Sequence, residues 1–266
     1  MIPWKLLDRA VIPDVGGELR LMQRGLEYSI MLGANELMNS RLSGSEEALA
    51  TLTATKLKNV QSPQILIGGL GMGFTLRAAL AAYSSEAKIT VAELVPAVVT
   101  WAQHQLKPIF GECMDDPRVR TQTIDVFNMI REAKNQFHAI LLDVDNGPDG
   151  LTHPKNDRLY NSKGVKHVFN ALVPGGLAAI WSARPDDKFT KILLGAGFGV
   201  EEVSVRGHRG KSGAKHHIWL ASKPMRSSSD SAPSTTTNFT GDIAGCRSCA
   251  GVCLHGLNHQ IFVHAI

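Results

Sequence analysis

Residues 65–74 read ILIGGLGMGF, and this stretch decides the fold. Three consecutive aliphatic residues are typical of a buried strand, and the glycines after them predict a sharp turn that lets the backbone approach a ligand closely. The spacing lacks the later glycine of the pattern Gly-x-Gly-x-x-Gly, so a tight turn without a ligand is an alternative for this segment taken alone. We expect Gly68, Gly69, Gly71 and Gly73 to lie against a ligand.

An acid ends each of the next two predicted strands. Glu93 closes ITVAE about 20 residues beyond the glycines, where a carboxylate accepts hydrogen bonds from the ribose hydroxyls of an adenosine. Asp125 ends the third strand, where we expect it beside the adenine amino group. Each acid has a simpler alternative: Glu93 precedes a helix that begins at Pro96, and Asp125 is a candidate helix cap. Because the carboxyl ends of parallel strands meet at one edge of a sheet, the combination predicts an adenosyl-binding site.

The chain divides into three zones by composition. Residues 1–43 predict a small β-hairpin module. Residues 44–225 alternate strands and helices and close with a hairpin, which predicts an α/β fold: a Rossmann-like, doubly wound, mostly parallel sheet with a closing antiparallel hairpin. Ser45 is the predicted cap of the first helix in this zone. The predicted strands are 18–22, 28–32, 65–67, 88–93, 119–124, 139–143, 177–181, 200–205 and 217–221, and the predicted helices include 74–83, 96–106 and 127–134.

Residues 226–266 predict a low-complexity, disordered tail, because runs of serine and threonine cannot bury a core. Cys246, Cys249 and Cys253 in this tail are residue types that bind zinc, but no second Cys-x-x-Cys pair accompanies them. We favour an incidental cluster and expect no metal.

Charge and hydrophobicity exclude several classes of function. The net charge of +4 comes without a dense Lys/Arg run, so we expect no nucleic-acid partner. No apolar stretch approaches the ~20 residues of a membrane helix, and no secretory leader is evident at the N-terminus. These patterns predict a cytoplasmic protein.

The fourth parallel strand ends in an acidic loop, residues 143–150, which read DVDNGPDG. A carboxylate here can hold a substrate ammonium beside a cationic sulfonium ligand and then accept its proton. Asp143 directly follows the buried strand and is the candidate catalytic group. Asp145 and Asp149 have an alternative role as turn residues, since Asp-Asn-Gly-Pro-Asp-Gly is strong turn chemistry. The chain contains no Gly-x-Ser-x-Gly nucleophile motif, and direct displacement at a sulfonium carbon needs none.

From about Gly17 to Ser182 the chain resembles the spermidine synthase family, the polyamine aminopropyltransferases, whose catalytic domain has the class I methyltransferase fold. The resemblance includes the glycine loop, the two acids at the strand ends, and Pro174-Gly175-Gly176 before the fifth parallel strand. It implies decarboxylated S-adenosylmethionine as donor, a polyamine as acceptor and methylthioadenosine as by-product. By the same resemblance Glu93 holds the ribose, Asp125 the adenine amine, and Asp143 is the acid-base group. It also implies a homo-oligomer.

The chain departs from the family's pattern at charged positions. Gly71 replaces the loop aspartate that binds the donor's ammonium, and Asn146 replaces an aspartate of the acidic loop. The segment Tyr-His/Gln-Glu that faces the substrate is Ser45-Glu46-Glu47 here. Glu46, Asp145 and Asn146 are therefore the predicted substrate-binding residues.

These departures leave three hypotheses. An aminopropyltransferase is favoured by the resemblance. A methyltransferase that uses intact S-adenosylmethionine is favoured by the missing charges. A non-catalytic adenosyl-binding module is the third hypothesis, and the retained acids argue against it.

Overall fold

The computed structural model describes residues 2–13, 16–144, 157–207 and 215–225. The strands are β1 Lys5–Val11, β2 Glu18–Arg24, β3 Glu27–Leu32, β4 Asn35–Asn39, β5 Gln64–Gly68, β6 Lys88–Glu93, β7 Val119–Thr123, β8 Phe137–Leu142, β9 Leu172–Ser182, β10 Gly199–Arg206 and β11 Lys215–Ser222. The helices are α1 Gly44–Lys56, α2 Phe74–Ala82, α3 Pro96–Gln103, α4 Lys107–Phe110, α5 Val126–Glu132, α6 Asp157–Tyr160, α7 Ser162–Ala171 and α8 Asp187–Gly195.

Seven strands form the main sheet in the order β10-β11-β9-β8-β5-β6-β7. The neighbouring strands β7, β6, β5, β8 and β9 pair with one another in parallel. Strand β11 runs antiparallel to both of its neighbours, β9 and β10. Strand β6 lies on one side of β5, and β8, which comes later in the chain, lies on its other side. This reversal beside β5 creates a crevice at the carboxyl ends of the strands, where open α/β sheets bind ligands. The predicted fold class is confirmed.

Strand β5 is buried on both faces, as its aliphatic run predicts. Ile65 and Ile67 join one hydrophobic cluster, and Leu66 joins the cluster on the opposite face of the sheet. Successive side chains of a strand point to opposite faces, so a strand covered on both sides must be apolar at every position. The rigid end of β5 therefore holds the start of the glycine loop.

Three predicted elements need correction. Ser45 does not cap α1: Ser43 is the N-cap residue, and the buried Ser45 hydroxyl bonds to side chains instead. The predicted helix 96–106 ends at Gln103, and a separate short helix, α4, follows. Strand β9 begins at Leu172, so the Pro-Gly-Gly segment lies within the strand rather than before it.

Residues 1–43 contribute a four-stranded antiparallel sheet in the order β1-β2-β3-β4, including β1, which the sequence analysis missed. Leu21 and Ile30 on this sheet belong to the same hydrophobic cluster as β5 and α2. The Trp101 indole on α3 also donates a 2.7 Å hydrogen bond to Asp8 on β1. A domain boundary at residue 43 stays a prediction, because the hydrophobic core continues across it.

Within the described ranges, no helix combines the length and the apolar character needed to cross a membrane. The predicted tail, with its three cysteines, lies outside these ranges.

Candidate active site

A cavity of about 370 Å³ opens at the carboxyl ends of the parallel strands, between the main sheet and the N-terminal sheet. The polar groups of its lining come from the loops and helix starts after β5, β6, β7 and β8, with Glu46 on α1 and Arg158 on α6. The rest of the lining is largely apolar and includes residues of the N-terminal sheet. The polar and charged side chains that line it are Glu46, Glu93, Asp125, Asn128, Asp143 and Arg158, and the apolar ones include Leu19, Ile30, Leu32, Leu37, Met38 and Trp181.

Three of the four predicted glycines line this cavity with left-handed backbone. Gly69, Gly71 and Gly73 have φ of 86°, 53° and 76°, a region that L side chains rarely adopt. A Cβ on Gly73 would also lie 2.3 Å from the Phe110 ring, and one on Gly69 would lie 2.7 Å from the Asp143 carbonyl oxygen. Glycine is therefore required here by the loop's own conformation and packing.

Gly68 is the one of the four predicted glycines that is absent from the cavity lining. It ends β5, and a Cβ there would lie 3.0 Å from Val126 and 3.1 Å from Leu142. Its small size lets the sheet pack closely against the start of α5.

Glu93 lies under the glycine loop and is 8% exposed. One carboxylate oxygen accepts a 2.8 Å hydrogen bond from the Leu70 amide, and the other accepts one of the same length from the Val95 amide. Burial raises the pKa of Glu93, while backbone N–H groups including these two oppose the shift. The carboxylate therefore joins the glycine loop to the end of β6, and backbone N–H groups hold it in a fixed orientation beside the cavity.

Asp125 takes the capping role that the sequence left open, and it also lies in the lining of the cavity. It is the N-cap of α5, accepting a 2.8 Å hydrogen bond from the Phe127 amide, and it also lines the cavity. Its other oxygen accepts a 2.6 Å bond from Arg158, whose guanidinium lies 4.7 Å from the centre of the Phe127 ring. The structure thus adds a cation at this end of the cavity that the sequence analysis did not identify.

Asp143 and Glu46 form an acidic pair at another part of the cavity. Asp143 follows β8 and accepts a 2.8 Å hydrogen bond from the Thr75 hydroxyl at the start of α2. Burial, with a further contribution from the Glu46 charge, raises the pKa of Asp143 to about 7. Burial likewise raises the pKa of Glu46, which lies in the first turn of α1. Two carboxylates that repel each other in a poorly solvated site hold a proton near neutrality and attract a cation.

Five further residues at or near the site were not identified from the sequence in this role. Trp181, Arg158 and Met38 line the cavity, and Thr75 bonds to Asp143, but no motif marks any of them. His216 on β11 contacts Ser45 across the fold. Alternation along the N-terminal strands was the one available signal, since it predicts an inward apolar face.

Two of the predicted substrate-binding residues, Asp145 and Asn146, lie outside the described residues, as does Asp149. Among the residues that the structure does describe, no three His, Cys, Asp or Glu side chains are grouped so that they could hold a metal ion.

Comparison with known proteins identifies the family. Residues 44–186, more than half of the chain, match the family model described as spermine/spermidine synthase domain. The chain is 30% identical over 121 residues to the polyamine aminopropyltransferase of Sulfolobus acidocaldarius, a region covering 45% of this chain and 39% of that protein. It is 30% identical over 123 residues to polyamine aminopropyltransferase 1 of Streptomyces coelicolor, covering 46% and 22%. The matched region spans well under half the length of these relatives.

Solved structures share the fold. The spermidine synthase of Thermotoga maritima superposes with a TM-score of 0.65 at 18% identity, covering 90% of this chain and 79% of that one. A spermidine synthase in complex with the transition state analogue AdoDATO gives the same TM-score and coverage at 19% identity. The shared region thus extends beyond the segment that the family model matches.

Proposed function

Because the chain belongs to the spermine/spermidine synthase family, we propose that it transfers an aminopropyl group from decarboxylated S-adenosylmethionine to a polyamine or related amine. One observation carries the proposal: a single cavity is lined by the glycine loop, by two acids at successive strand ends and by a separate acidic pair. The glycine loop and the two strand-end acids suit an adenosyl sulfonium donor, and the acidic pair suits the ammonium of an acceptor amine.

On the donor side, we assign the ribose hydroxyls to Glu93 and the adenine amino group to Asp125. The position of Glu93 in the cavity lining, at the carboxyl end of β6, supports the first assignment, and its backbone bonds fix the carboxylate in place. The position of Asp125 at the end of the adjacent strand supports the second. Gly69, Gly71 and Gly73 would let the backbone pass close to the donor.

On the reaction side, Asp143 and Glu46 hold the acceptor's ammonium, and Asp143 accepts its proton. The neutral nitrogen then attacks the aminopropyl carbon bound to sulfur. A nitrogen–carbon bond forms as the carbon–sulfur bond breaks, and the electron pair of the broken bond stays on sulfur in methylthioadenosine. A carboxyl group whose pKa lies at about 7 is suited to this proton transfer at neutral pH.

Methyl transfer from intact S-adenosylmethionine is the second candidate, and Gly71 is the observation that favours it. A Cβ at position 71 would lie 3.0 Å from the Met38 sulfur, and glycine itself supplies no carboxylate for a donor ammonium. Intact S-adenosylmethionine carries a carboxylate of its own, which a loop without aspartate accommodates.

Calorimetry with the two donors, followed by mass spectrometry of the products with a diamine or spermidine, tests the proposal. We expect tighter binding of the decarboxylated donor and formation of methylthioadenosine. Asp143→Asn is the matched control, because it should retain donor binding and lose turnover. Formation of S-adenosylhomocysteine would establish methyl transfer instead, and donor binding without any turnover would indicate a binding module.

The proposal carries three expectations about the protein's setting. We expect a small-molecule amine as partner, a homo-oligomeric assembly and a cytoplasmic location.

A further inference from the structure

A line of short polar contacts leads from the cavity to the closing hairpin. The Ser45 hydroxyl donates a 2.7 Å hydrogen bond to Glu46 Oε2, and the Nδ1 atom of His216 on β11 lies 2.8 Å from the same hydroxyl oxygen. Ser45 is fully buried, with 0% exposure. A cavity-lining carboxylate is thus linked through one hydroxyl to an imidazole on a distant part of the chain.

The number of available protons decides which atom donates in each of these two hydrogen bonds. Ser45 has one hydroxyl proton, and an ionised carboxylate can only accept. When Glu46 is ionised, the hydroxyl proton must therefore point to Glu46, and His216 must carry its own proton on Nδ1 to complete the second bond. Burial lowers the pKa of His216, with His217 adding to the effect, so a neutral ring with one proton agrees with this arrangement.

The backbone joins the same two elements. The Gly44 amide at the start of α1 donates a 3.0 Å hydrogen bond to the Gly207 carbonyl, just after β10. A Cβ on Gly44 would lie 2.8 Å from the Arg206 carbonyl oxygen, so the helix start and the hairpin are in direct contact. The His216 ring also meets the cavity-lining Trp181 edge to face, with centroids 4.9 Å apart.

We propose that His216 is a positioning residue that orients the Glu46 carboxylate through Ser45. The inference rests on the proposed function, in which Glu46 helps to hold the acceptor amine. When Glu46 takes up a proton, both hydrogen bonds reverse direction. Glu46 then donates to the Ser45 oxygen, and the Ser45 hydroxyl donates to the Nδ1 lone pair of His216. The ring then loses its Nδ1 proton and gains one at Nε2, with no change of charge.

Other charged groups surround this line and belong to the same equilibrium. Glu47 on α1 and Asp143 after β8 interact electrostatically with Glu46, and His217 does so with its neighbour His216. Glu47 is itself 3.8 Å from Arg77 on α2. The test must therefore distinguish the hydrogen bonds through the Ser45 hydroxyl from the electrostatic effect of these nearby groups.

Three variants make that separation. His216→Phe keeps an aromatic ring against Trp181 and removes the hydrogen bond, whereas His216→Asn restores an N–H donor close to the Nδ1 position. We expect His216→Phe to lower kcat/KM for the amine by up to about tenfold, the upper end of the effect of losing one hydrogen bond between neutral groups, here the bond to Ser45, with the KM of the donor unchanged. His216→Asn should recover most of the loss. In a Ser45→Ala background, His216→Phe should have no further effect.

A second measurement does not depend on turnover. ¹⁵N spectra of the imidazole should show the Nδ1–H form of His216 where Glu46 is ionised and a change toward Nε2–H as Glu46 is protonated, and Ser45→Ala should abolish this coupling. An Nε2–H ring throughout, or additive effects of the Ser45 and His216 variants, would overturn the proposal. If no amine is alkylated, the proposed function fails, while the imidazole spectra still decide the link.

Discussion

Replacement of Asp143 by asparagine should make the protein more stable at pH 8 and leave its stability little changed at pH 4. The side chain keeps its shape and an acceptor for the Thr75 hydroxyl, which now lies 2.8 Å from Asp143 Oδ2. What the variant loses is a charge that burial and the neighbouring Glu46 disfavour. The difference between the two proteins therefore measures the ionisation of one side chain.

The sign and size of the effect follow from linkage. The pKa of Asp143 rises from 3.8 to about 7 in the folded protein, so the folded state binds this proton more tightly than the unfolded chain does. The contribution of protonated Asp143 to the free energy of unfolding is fully present below pH 3.8, and it is lost as pH rises through about 7. With ~1.4 kcal/mol per pKa unit, the upper limit is ~4 kcal/mol, and because the carboxyl group is partly exposed we expect ~2 kcal/mol.

Urea unfolding of both proteins at several pH values between 4 and 8 provides the assay. The free energy of unfolding of Asp143→Asn minus that of the wild type should rise steadily with pH. Asp116→Asn is a control of opposite sign, because hydrogen bonds from Arg118 lower the pKa of Asp116 and its stabilising contribution is lost as pH falls. A difference for Asp143→Asn that stays flat or falls with pH would refute the account of a proton-holding pair.

Substitutions at Glu93, Gly73 and Asp125 test the donor side, the glycine loop and the helix cap. Glu93→Ala should weaken binding of an adenosyl donor by ~2 kcal/mol in calorimetry, since charged hydrogen-bond partners are lost; unchanged affinity would mean that Glu93 is misassigned. Gly73→Ala should destabilise the fold by ~2 kcal/mol or more in urea unfolding, because left-handed backbone and the Phe110 ring both oppose a Cβ. Gly33→Ala, with φ of 57° and no atom within 4 Å of its Cβ, is the matched control and should cost only ~1 kcal/mol. Asp125→Ala should lose ~1 kcal/mol of stability with the helix cap, whereas Asp125→Asn should retain the cap, so equal losses would contradict the capping role.

The sheet was predictable because its signals are local. The run Ile65–Ile67 is apolar at every position, as a strand buried on both faces must be, and the glycines after it leave little choice about where it ends. Helix boundaries were less predictable because caps depend on hydrogen bonds that sequence does not show. Ser45 looked like a cap, but its hydroxyl bonds to Glu46 and His216, while Ser43 precedes the helix.

The order of residues along the chain established that Glu93 and Asp125 end neighbouring strands, because the alternation of strands and helices places both at one edge of a parallel sheet. Only the packed molecule decided which groups each acid meets. Arg158 reaches Asp125 from 33 positions away, and His216 reaches Ser45 from 171 positions away. Contacts over such separations depend on how whole elements pack, and no periodicity or motif encodes them. The pKa of Asp143 likewise depends on burial and on Glu46, which come from the assembled site rather than from its neighbours in sequence.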